Sequence, residues 1–528
     1  MKIKLTFTFF ITQFLALHCY SQVSGSDKIS EVYSRISDFY VDSVNEEEIT
    51  EAAIVSMLEK LDPHSTYIPK KELMESRSSI DGSFVGVGIR FQIIKDTLNV
   101  VATISGGPCE KLGVLPGDKI VSVNDNSIAG IGLTNNDVRT KLMGELGSKV
   151  KISILRKKSP KLIDFNVTRD RIPVYSVDSY YMIDNNIGYV KLNAFSRTTM
   201  NEVHEALDYL KDKGMKNLIF DLQGNGGGLL NVAHMLADEF LSGNKLVVYS
   251  EGRAQPRSEL KAYRKGEFEK GKLIILTDEY SASASEIVSG AIQDWDRGLV
   301  VGRRTYGKGL VQRPMNLTDG SEIRLTIARY YTPTGRFIQK PYDDTEEYRK
   351  DISQRFLNGE FSHADSIKLP DSLKFQTLKK KRTVYGGGGI MPDVFVPLDT
   401  SENSDYFSAL VRGGYINTFS FGYVNDHRAG LKSKFPTFEM FNKDFKIDQD
   451  FMKEFFDYVK DESPDLEFNE KEFELSERII KLRIKANIAQ DLFSTKEMYE
   501  VYNAQNEILN KAISILQTSE YNNYNLDY

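Results

Sequence analysis

The stretch that most constrains the fold begins as an apolar, strand-like run from Leu273 to Thr277. It leads directly into three alternating serines, Ser281, Ser283 and Ser285. A helical pattern follows, and a second short apolar run from Leu299 to Gly302 comes next. A buried strand, a helix and a return to a neighbouring strand together indicate an α/β domain with a parallel sheet.

The same alternation extends over residues 172–400 and predicts an α/β core there. Strand-like and helical runs follow one another from Ile187 to Leu192, Met200 to Lys213, Leu218 to Leu222 and Leu229 to Leu241. A glycine run, Gly226 to Gly228, separates the last two. A glycine run between a buried strand and a helix places free backbone N–H groups at a helix start. Such a loop could cradle a phosphate or hold a developing oxyanion.

The flanking regions predict further domains, because 528 residues are too many for one hydrophobic core. Residues 22–80 have helical periodicity, and residues 81–171 read as strands with one short helix near Thr134 to Met143. Residues 401–528 are mostly helical in pattern. The polar segment from Arg336 to Lys381 is expected to be a long excursion over the surface.

Residues 1–21 are typical of a secretory signal peptide. Lys2 and Lys4 precede a short apolar run, Leu5 to Leu17, and Cys19 lies at a plausible cleavage site. We therefore expect export to the periplasm or cell envelope. An uncleaved N-terminal anchor, which would keep the protein near a membrane, is the alternative. Cleavage would leave only Cys109, which we interpret as structural.

Composition excludes several function classes. A net charge of −6 and a pI near 5.8 argue against a nucleic-acid partner, since phosphate contacts need a basic field. The sequence has no His-x-x-x-His or paired-cysteine spacing, so no metal is expected. The glycine run lacks the final glycine of a dinucleotide fingerprint, and no cofactor is predicted.

Ser283 permits two interpretations from the local pattern. With Glu286 three residues later it forms a helix capping box, which alone would be a structural feature. A serine at a helix start is also a potential nucleophile, because free N–H groups and the helix dipole favour negative charge there. The N–H of Ala284 is the nearest such donor.

Lys308 is the candidate base, since a buried lysine can lose its proton. Gln312 lies four residues on, and strand alternation directs both side chains to one face, where the amide could orient the amine. A solvated loop lysine is the plain alternative. A Ser-His-Asp enzyme using His64, in the Asp62-Pro63-His64 turn, also stays open.

Several ordered motifs resemble the carboxyl-terminal processing peptidases, also called tail-specific proteases. Over residues 30–400 these motifs are Leu61 to Ser65, Gly86 to Gly88, Pro116 to Asp118, Asp221 with the glycine run, Tyr280 to Ile287, Arg304 to Gly309, Tyr331 to Arg336 and Gly389 to Asp393. Their shared order is more specific than any one motif.

The resemblance implies roles for individual residues. It selects Ser283 as nucleophile, Lys308 as general base and Gln312 as the orienting residue. It implies an oxyanion hole at the backbone of Ala284 and of a glycine in the run, Gly227 or Gly228. It also implies a crotonase-like α/β core at 172–400 and a PDZ domain, a β-rich partly open barrel, at 81–171.

A PDZ domain captures chain ends by β-augmentation and by binding the terminal carboxylate to backbone N–H groups. The resemblance places that carboxylate loop at Phe84, Gly86, Val87 and Gly88. The expected partners are therefore proteins or peptides with free C-termini. The expected function is an exported serine endopeptidase, and the alternative is a PDZ-bearing scaffold with an inactive core.

Two departures from the family pattern stand out. The family often has Asn-Pro-Gly-Gly where this chain has Asn225-Gly226-Gly227-Gly228, and it often has arginine where this chain has Met143. Residues 401–528 lie outside the resemblance. Packing on the core, oligomerisation and adaptor binding all stay open for them.

Overall fold

The computed structural model describes residues 24–157 and 159–527, so the predicted signal peptide lies outside the described residues. Residues 24–61 form a compact helical unit of their own, with α1 (Gly25–Phe39) and α2 (Glu46–Glu59). Ser24 caps α1, since its hydroxyl accepts from Asp27 N at 3.1 Å. Within the described residues, no helix combines the length and apolar character needed to cross a membrane.

A strand-rich module, defined here as residues 83–173, follows a short connection. The connection consists of β1 (Thr66–Ile68) and α3 (Lys70–Asp81), and the module contains β2 (Ser83–Gly86), β3 (Ile89–Ile94), β4 (Thr97–Thr103), α4 (Pro108–Lys111), β5 (Lys119–Val123), β6 (Asn126–Ser127), α5 (Asn135–Leu142), β7 (Lys149–Leu155), β8 (Ile163–Thr168) and β9 (Asp170–Pro173). Five strands form an antiparallel sheet in the order β3-β4-β5-β7-β8, and β2 pairs with β9. Strand β3 is thus an edge strand of that sheet.

The predicted features of this module are confirmed. The helix expected near Thr134 to Met143 is α5, and Thr134 and Asp137 form a capping box at its start. The interior is apolar, with Leu98, Ile120 and Ile152 fully buried. Cys109 lies in the same apolar cluster, and burial raises the pKa of its thiol to about 12, as expected for a structural cysteine.

The α/β core then begins. Its elements are β10 (Val177–Met182), β11 (Ile187–Leu192), α6 (Thr199–Asp212), β12 (Asn217–Asp221), α7 (Leu230–Asp238), β13 (Leu246–Gly252), β14 (Gln255–Lys261), β15 (Leu273–Thr277), α8 (Ala284–Asp294), β16 (Leu299–Gly302), β17 (Leu310–Asn316), β18 (Glu322–Tyr331), α9 (Thr345–Leu357), β19 (Lys374–Gln376), β20 (Thr383–Tyr385) and β21 (Val394–Phe395). Short 3₁₀ turns at Ala364–Ser366 and Asp371–Leu373 connect the last elements.

Two sheets make up this core. One has the order β10-β11-β12-β15-β16-β21 and is parallel except for β10. The other is antiparallel: β18 pairs with β1, β13 and β17, and β14 pairs with β13. The parallel strands are buried on both faces, which explains their continuous apolar sequences. Because β1 and β17 both pair with β18, the turn that precedes β1 lies next to β17.

The segment from Arg336 to Lys381 is more than the predicted surface excursion. It contains α9, which the sequence analysis missed, and part of it is buried. Arg336 has no exposed surface, and its guanidinium donates to Asp294 at 2.5 Å. Tyr348 on α9 is also buried. The polar residues that suggested a loop are used in buried ion pairs and hydrogen bonds, which periodicity alone does not reveal.

The C-terminal region is helical, as predicted. It comprises α10 (Asp405–Arg412), α11 (Tyr415–Lys434), α12 (Phe438–Asp444), α13 (Gln449–Glu462), α14 (Glu470–Leu492), α15 (Thr495–Tyr502) and α16 (Glu507–Gln517), with 3₁₀ turns at Asn503–Gln505 and Glu520–Tyr524. Helices α10 to α15 share a phenylalanine-rich cluster of their own. Helix α16 instead covers the outer face of the parallel sheet, where Ile508, Ile515 and Tyr521 pack on Ile219 and Ile274. The last helix therefore completes the α/β core.

Candidate active site

Ser283 sits at the sharp turn between β15 and α8 in a strained backbone conformation. Its φ is 57° and its ψ is −108°, a region that residues with a Cβ rarely adopt. Such strain costs on the order of 1–3 kcal/mol and persists only where surrounding contacts enforce it. One such contact is the hydrogen bond from Ser283 N to Glu286 Oε2 at 2.8 Å. The backbone half of the predicted capping box is thereby confirmed.

The three serines have different surroundings. Ser281 Oγ donates to Leu222 O at 2.8 Å, and Ser285 Oγ donates to Asn225 O at 2.9 Å. Both side chains are fully buried and hold neighbouring loops. Ser283 is only partly buried and lines an open cleft. Geometry therefore distinguishes Ser283 from its neighbours, which sequence spacing alone did not.

Glu286 connects the serine turn to the lysine loop. Its fully buried carboxylate accepts hydrogen bonds from Ser283 N, Thr305 Oγ1, Gly307 N and Lys308 N, at 2.8, 2.5, 2.8 and 2.9 Å. Burial raises the pKa of this carboxyl, and the donated hydrogen bonds oppose that rise. The Glu286 side chain thus holds the serine turn and the lysine loop together, although Glu286 and Lys308 are 22 residues apart in the sequence.

Tyr330 adds a second link between the same segments. Its hydroxyl lies 3.0 Å from Ser283 O and also contacts Lys308 O. The ring is almost completely buried, and Tyr330 lines the cleft. Ser283 and Lys308 are therefore both held through their backbone, and both residues line the cleft.

The surroundings of Lys308 shift its protonation equilibrium toward the free amine. Burial lowers the pKa of Lys308 below its ordinary value of 10.5, while the negative charges of Glu286 and Asp62 oppose the decrease. Arg324 adds a smaller lowering. A lowered pKa raises the fraction of free amine near neutral pH, which is the requirement for a lysine that acts as a base.

Gln312 is oriented by a short relay of hydrogen bonds. A bulge in β18 leaves Gln312 directly opposite Thr326, and Gln312 Nε2 donates to Thr326 Oγ1 at 3.2 Å. Thr326 Oγ1 in turn donates to Asp62 Oδ1 at 3.0 Å. Because the hydroxyl has one proton and gives it to the carboxylate, it can only accept from Gln312. The amide oxygen of Gln312 is therefore left as an acceptor.

Sequence reasoning missed this relay. Ser65 Oγ donates to the second oxygen of Asp62 at 2.7 Å, so the carboxylate is held at both ends. The proline-bounded turn at residues 62–65 was the available signal, and it had suggested only His64. Thr326 lies in a plain strand pattern and gave no signal.

The glycine run meets Ser283 closely. Gly227 has a φ of +105°, and a Cβ there would lie 2.9 Å from Ser283 Cβ. Gly228 has a φ of +145°, and a Cβ there would lie 2.2 Å from Phe195 O. Both positions therefore require glycine. At Gly226, where the family often has proline, a Cβ would have no neighbour within 4 Å, so packing does not itself require glycine there.

The two glycines differ as oxyanion donors. Gly227 N already donates to Asn225 Oδ1 at 2.8 Å, which corrects the prediction that its N–H is available. For the N–H groups of Gly228 and Ala284, no acceptor lies within hydrogen-bonding distance among residues 24–157 and 159–527. Gly228 lines the cleft, and Ala284 follows Ser283. The pair Gly228 and Ala284 is the arrangement that fits.

His64 also lies in the cleft, but its chemistry is unsuited to a base. Its Nε2 is 2.7 Å from Tyr348 OH. Burial, together with the charge of Lys308, lowers the pKa of His64 to about 4. A base with this pKa takes a proton weakly near neutral pH. The geometry therefore favours Lys308 over His64.

The cleft has a volume of about 710 Å³ and brings the predicted residues together. Ser283, Lys308, Gln312 and Gly228 all line it. A strained serine beside free N–H groups, with a half-buried lysine and an oriented amide in one cleft, matches the parts of an acyl-transfer site.

A second groove, of about 240 Å³, lies in the strand-rich module. This groove is lined by the residues of the predicted carboxylate loop, Phe84, Gly86, Val87 and Gly88. Met143 lies beside them. The rest of the lining includes apolar side chains from β3 and α5. An edge strand beside a helix offers the free backbone groups that β-augmentation needs.

Comparison with known families agrees with this organisation. A PDZ-domain model matches residues 85–167, and a model of peptidase family S41 matches residues 186–347. A model of the N-terminal domain of the activating protease CtpB matches residues 16–72. Residues 406–494 match a family of unknown function.

Individual relatives decide the family. The carboxy-terminal-processing protease of Bartonella bacilliformis is 34% identical over 317 residues, which are 59% of this chain and 72% of the relative. The carboxy-terminal processing protease CtpA of Bacillus subtilis is 33% identical over 318 residues, covering 60% and 67%. The chain belongs to the carboxy-terminal processing proteases.

This carboxy-terminal processing protease is a serine-type peptidase that carries a PDZ domain. The fold is an S41 protease core joined to that domain, with a helical C-terminal region. A solved photosystem II D1 C-terminal processing protease is 25% identical and covers 71% of this chain and 87% of its own. Its TM-score of 0.38 marks a poor overall superposition.

The relay to Gln312 generates a test of this protease. We expect Thr326→Val to lower kcat about fivefold on a peptide substrate while KM stays unchanged, since losing one orienting hydrogen bond costs about 1 kcal/mol. Thr326→Ser keeps the hydroxyl and should retain the rate. Steady-state kinetics on both variants measures this. Equal kcat for Thr326→Val and the unmodified enzyme would show that the relay does not position Gln312.

Proposed function

We propose that this chain is an exported serine endopeptidase that binds the C-terminus of its substrate and cleaves peptide bonds with a Ser-Lys dyad. Ser283 is the nucleophile, Lys308 is the general base and Gln312 orients the amine. The observation that supports this most strongly is the shared anchoring of Ser283 and Lys308 by Glu286. It places two reactive side chains in one cleft with their backbones fixed.

The reaction would proceed by acyl transfer. The neutral amine of Lys308 takes the proton from Ser283 Oγ, and the oxygen attacks the scissile carbonyl carbon. The N–H groups of Ala284 and Gly228 hold the resulting oxyanion. The Lys308 ammonium then gives its proton to the leaving amine. Water, deprotonated by Lys308, attacks the acyl carbon, the bond to Ser283 Oγ breaks, and the Lys308 ammonium returns its proton to Oγ as the second product leaves.

The PDZ domain would select the substrate by its chain end. The loop of Gly86, Val87 and Gly88 offers backbone N–H groups to the terminal carboxylate, and β3 offers an edge for the peptide strand. Proteins or peptides with free C-termini are the proposed partners. Export to the periplasm or cell envelope is proposed from residues 1–21. Roles of residues 401–528 in oligomerisation or adaptor binding stay predictions.

The dyad is tested by removing either side chain. We expect Ser283→Ala and Lys308→Ala each to lower the cleavage rate of an unfolded protein substrate a thousandfold or more, because the two groups act as a unit. Circular dichroism should show an unchanged fold. Ser289→Ala, on the same helix, is the matched control and should keep the rate, since Ser289 Oγ only donates to Ser285 O.

Cleavage of the unfolded substrate by Ser283→Ala at the rate of the unmodified enzyme would contradict the proposal. Absence of cleavage by the unmodified enzyme itself would instead support the scaffold interpretation.

Carboxylate capture is tested with paired substrates that differ only at the chain end. We expect an amidated tail to raise KM by about tenfold to a hundredfold, because hydrogen bonds to a charged group contribute roughly 1.5–3 kcal/mol. Competition between free and amidated peptides, followed by mass spectrometry, measures the ratio. Equal cleavage of both would remove the assigned role of the Gly86–Gly88 loop.

A further inference from the structure

The helical C-terminal region contacts the PDZ domain on β3, the strand proposed to pair with the substrate tail. Arg90 lies on β3, and its Nη2 donates to Asp491 Oδ1, near the end of α14, at 2.5 Å. Arg428 on α11 donates from Nη1 to the backbone oxygen of Asp491 at 2.8 Å. The side chain of Asp491 is only 8% exposed. An almost buried aspartate of the C-terminal region therefore joins two arginines, one of which belongs to the peptide-binding strand.

The contact with Asp491 supports β3 from behind and does not fill the peptide groove. Ile89 and Phe91, the neighbours of Arg90 on β3, both line the groove. Because side chains alternate along a strand, Arg90 points to the opposite face of the sheet. The C-terminal region therefore holds β3 in place while the groove stays open to a substrate.

Two further ion pairs link the same parts of the protein, but each of them involves an exposed lysine. Lys95 Nζ, in the turn after β3, lies 2.8 Å from Glu462 Oε1 at the end of α13. Lys157 Nζ, after β7, lies 2.6 Å from Asp426 Oδ1 on α11. Exposed ion pairs contribute little, because water and salt screen them, whereas removing one partner of a buried pair leaves a charge without compensation. The attachment therefore depends chiefly on Asp491.

The chain continues from Asp491 directly onto the protease core. Tyr499, on α15, donates a hydrogen bond to the carboxylate of Asp178 on β10. Asn503 Nδ2, just after α15, donates to Tyr181 OH, also on β10, at 3.0 Å. Residues 491–503 thus connect β3 of the PDZ domain to β10 of the core through one short stretch of chain.

The PDZ domain is also attached to the core where the chain enters and leaves it. Strand β2 pairs with β9, and Val174 N donates to Gly82 O at 2.9 Å across the two linkers. A domain that is joined only through its linkers is expected to move relative to its neighbour. The contact of Asp491 with Arg90 is a second attachment, and two separate attachments oppose rotation about the linkers.

We propose that Asp491 is a positioning residue that holds β3 at a fixed distance from Ser283 and thereby sets how far from its C-terminus a substrate is cut. The inference rests on the proposed function, because it needs the tail to be bound at β3 and the bond to be broken at Ser283. It gives the helical C-terminal region a role within the chain, as a brace between the PDZ domain and the core.

A fixed distance between β3 and Ser283 selects a length of substrate. An extended chain spans about 3.3 Å per residue, so a segment that is too short does not reach from β3 to Ser283. A longer segment must form a loop, and the effective concentration of its bonds at the nucleophile falls as the loop grows. Cleavage is therefore expected within one window of distances from the chain end, and movement of β3 would widen this window.

The window is measured on an unfolded polypeptide of identical short repeats, so that the same bonds recur along its length. The polypeptide ends in a free valine, because apolar side chains line much of the PDZ groove. Full-length Asp491→Ala and Arg90→Met break the buried contact from either side. Asp426→Ala is the matched control, since it removes the carboxylate of an exposed pair. Mass spectrometry locates the first cuts at low conversion, and Ser283→Ala gives the background.

We expect the unmodified enzyme to make its first cuts within a window of about six residues. Displacement of β3 by about 10 Å changes the reach by about three residues in either direction, so Asp491→Ala and Arg90→Met should each widen the window about twofold. Asp426→Ala should keep the window of the unmodified enzyme. A loss of stability alone would lower the rate at every position and leave the window unchanged.

Cleavage by both Asp491→Ala and Arg90→Met with the window of the unmodified enzyme would overturn the positioning role and leave the dyad intact. Equal widening by Asp426→Ala, or first cuts spread evenly over all repeats by the unmodified enzyme, would overturn it too. Cleavage by the unmodified enzyme no faster than by Ser283→Ala would overturn the proposed function, and the positioning role with it. If Asp491→Ala fails to fold, the comparison of Arg90→Met with Asp426→Ala decides the question.

Discussion

The buried carboxylate of Glu286 is the interaction on which the site depends. It accepts hydrogen bonds from the backbone of both Ser283 and Lys308, and from Thr305 and Gly307 beside the lysine. Ser283 occupies an unfavourable backbone conformation, so it needs a partner that enforces the turn. The same partner holds the base loop in register. The same carboxylate thus caps the start of α8 and holds the proposed dyad together, and Tyr330 adds contacts to the carbonyl groups of Ser283 and Lys308.

The environment of the cleft affects Lys308 and His64 differently as proton acceptors. Burial lowers the pKa of both Lys308 and His64, but their starting values differ. For the lysine the decrease moves the free amine toward physiological pH. For the histidine the decrease to about 4 removes its use as a proton acceptor there, and the neutral ring contacts Tyr348 instead. The helix that provides Tyr348 belongs to the segment that had suggested a surface loop, so that segment also contributes a contact to His64 in the cleft.

Much of this could be predicted from the sequence, for physical reasons that differ by region. Buried parallel strands are continuous apolar runs, so β12, β15 and β16 were evident. Motifs in fixed order located the PDZ domain and selected Ser283 and Lys308 as the proposed dyad. Features that depend on distant contacts were not accessible. Thr326 and Asp62 meet Gln312 only because β1 and β17 both pair with β18. Of the two donors expected at the glycine run, Gly227 and Gly228, only Gly228 keeps an N–H group that is free within the described part of the chain, because the side chain of Asn225 accepts the hydrogen bond from Gly227 N. Helix α16 covers the core sheet, which no local pattern indicates.

In the proposed mechanism, a neutral Lys308 activates Ser283. The most direct measurement is the rate at which a serine-directed phosphonate ester phosphonylates Ser283 Oγ, with loss of its leaving group, followed by mass spectrometry as a function of pH. Because burial lowers the pKa of Lys308, the free amine is lost as pH falls through that pKa and fully present above it. We predict a rate that rises with pH to a plateau, with an inflection below 10.5, in the unmodified enzyme and in His64→Gln. In Lys308→Met both the rate and the inflection should disappear. The same inflection in Lys308→Met would contradict the account.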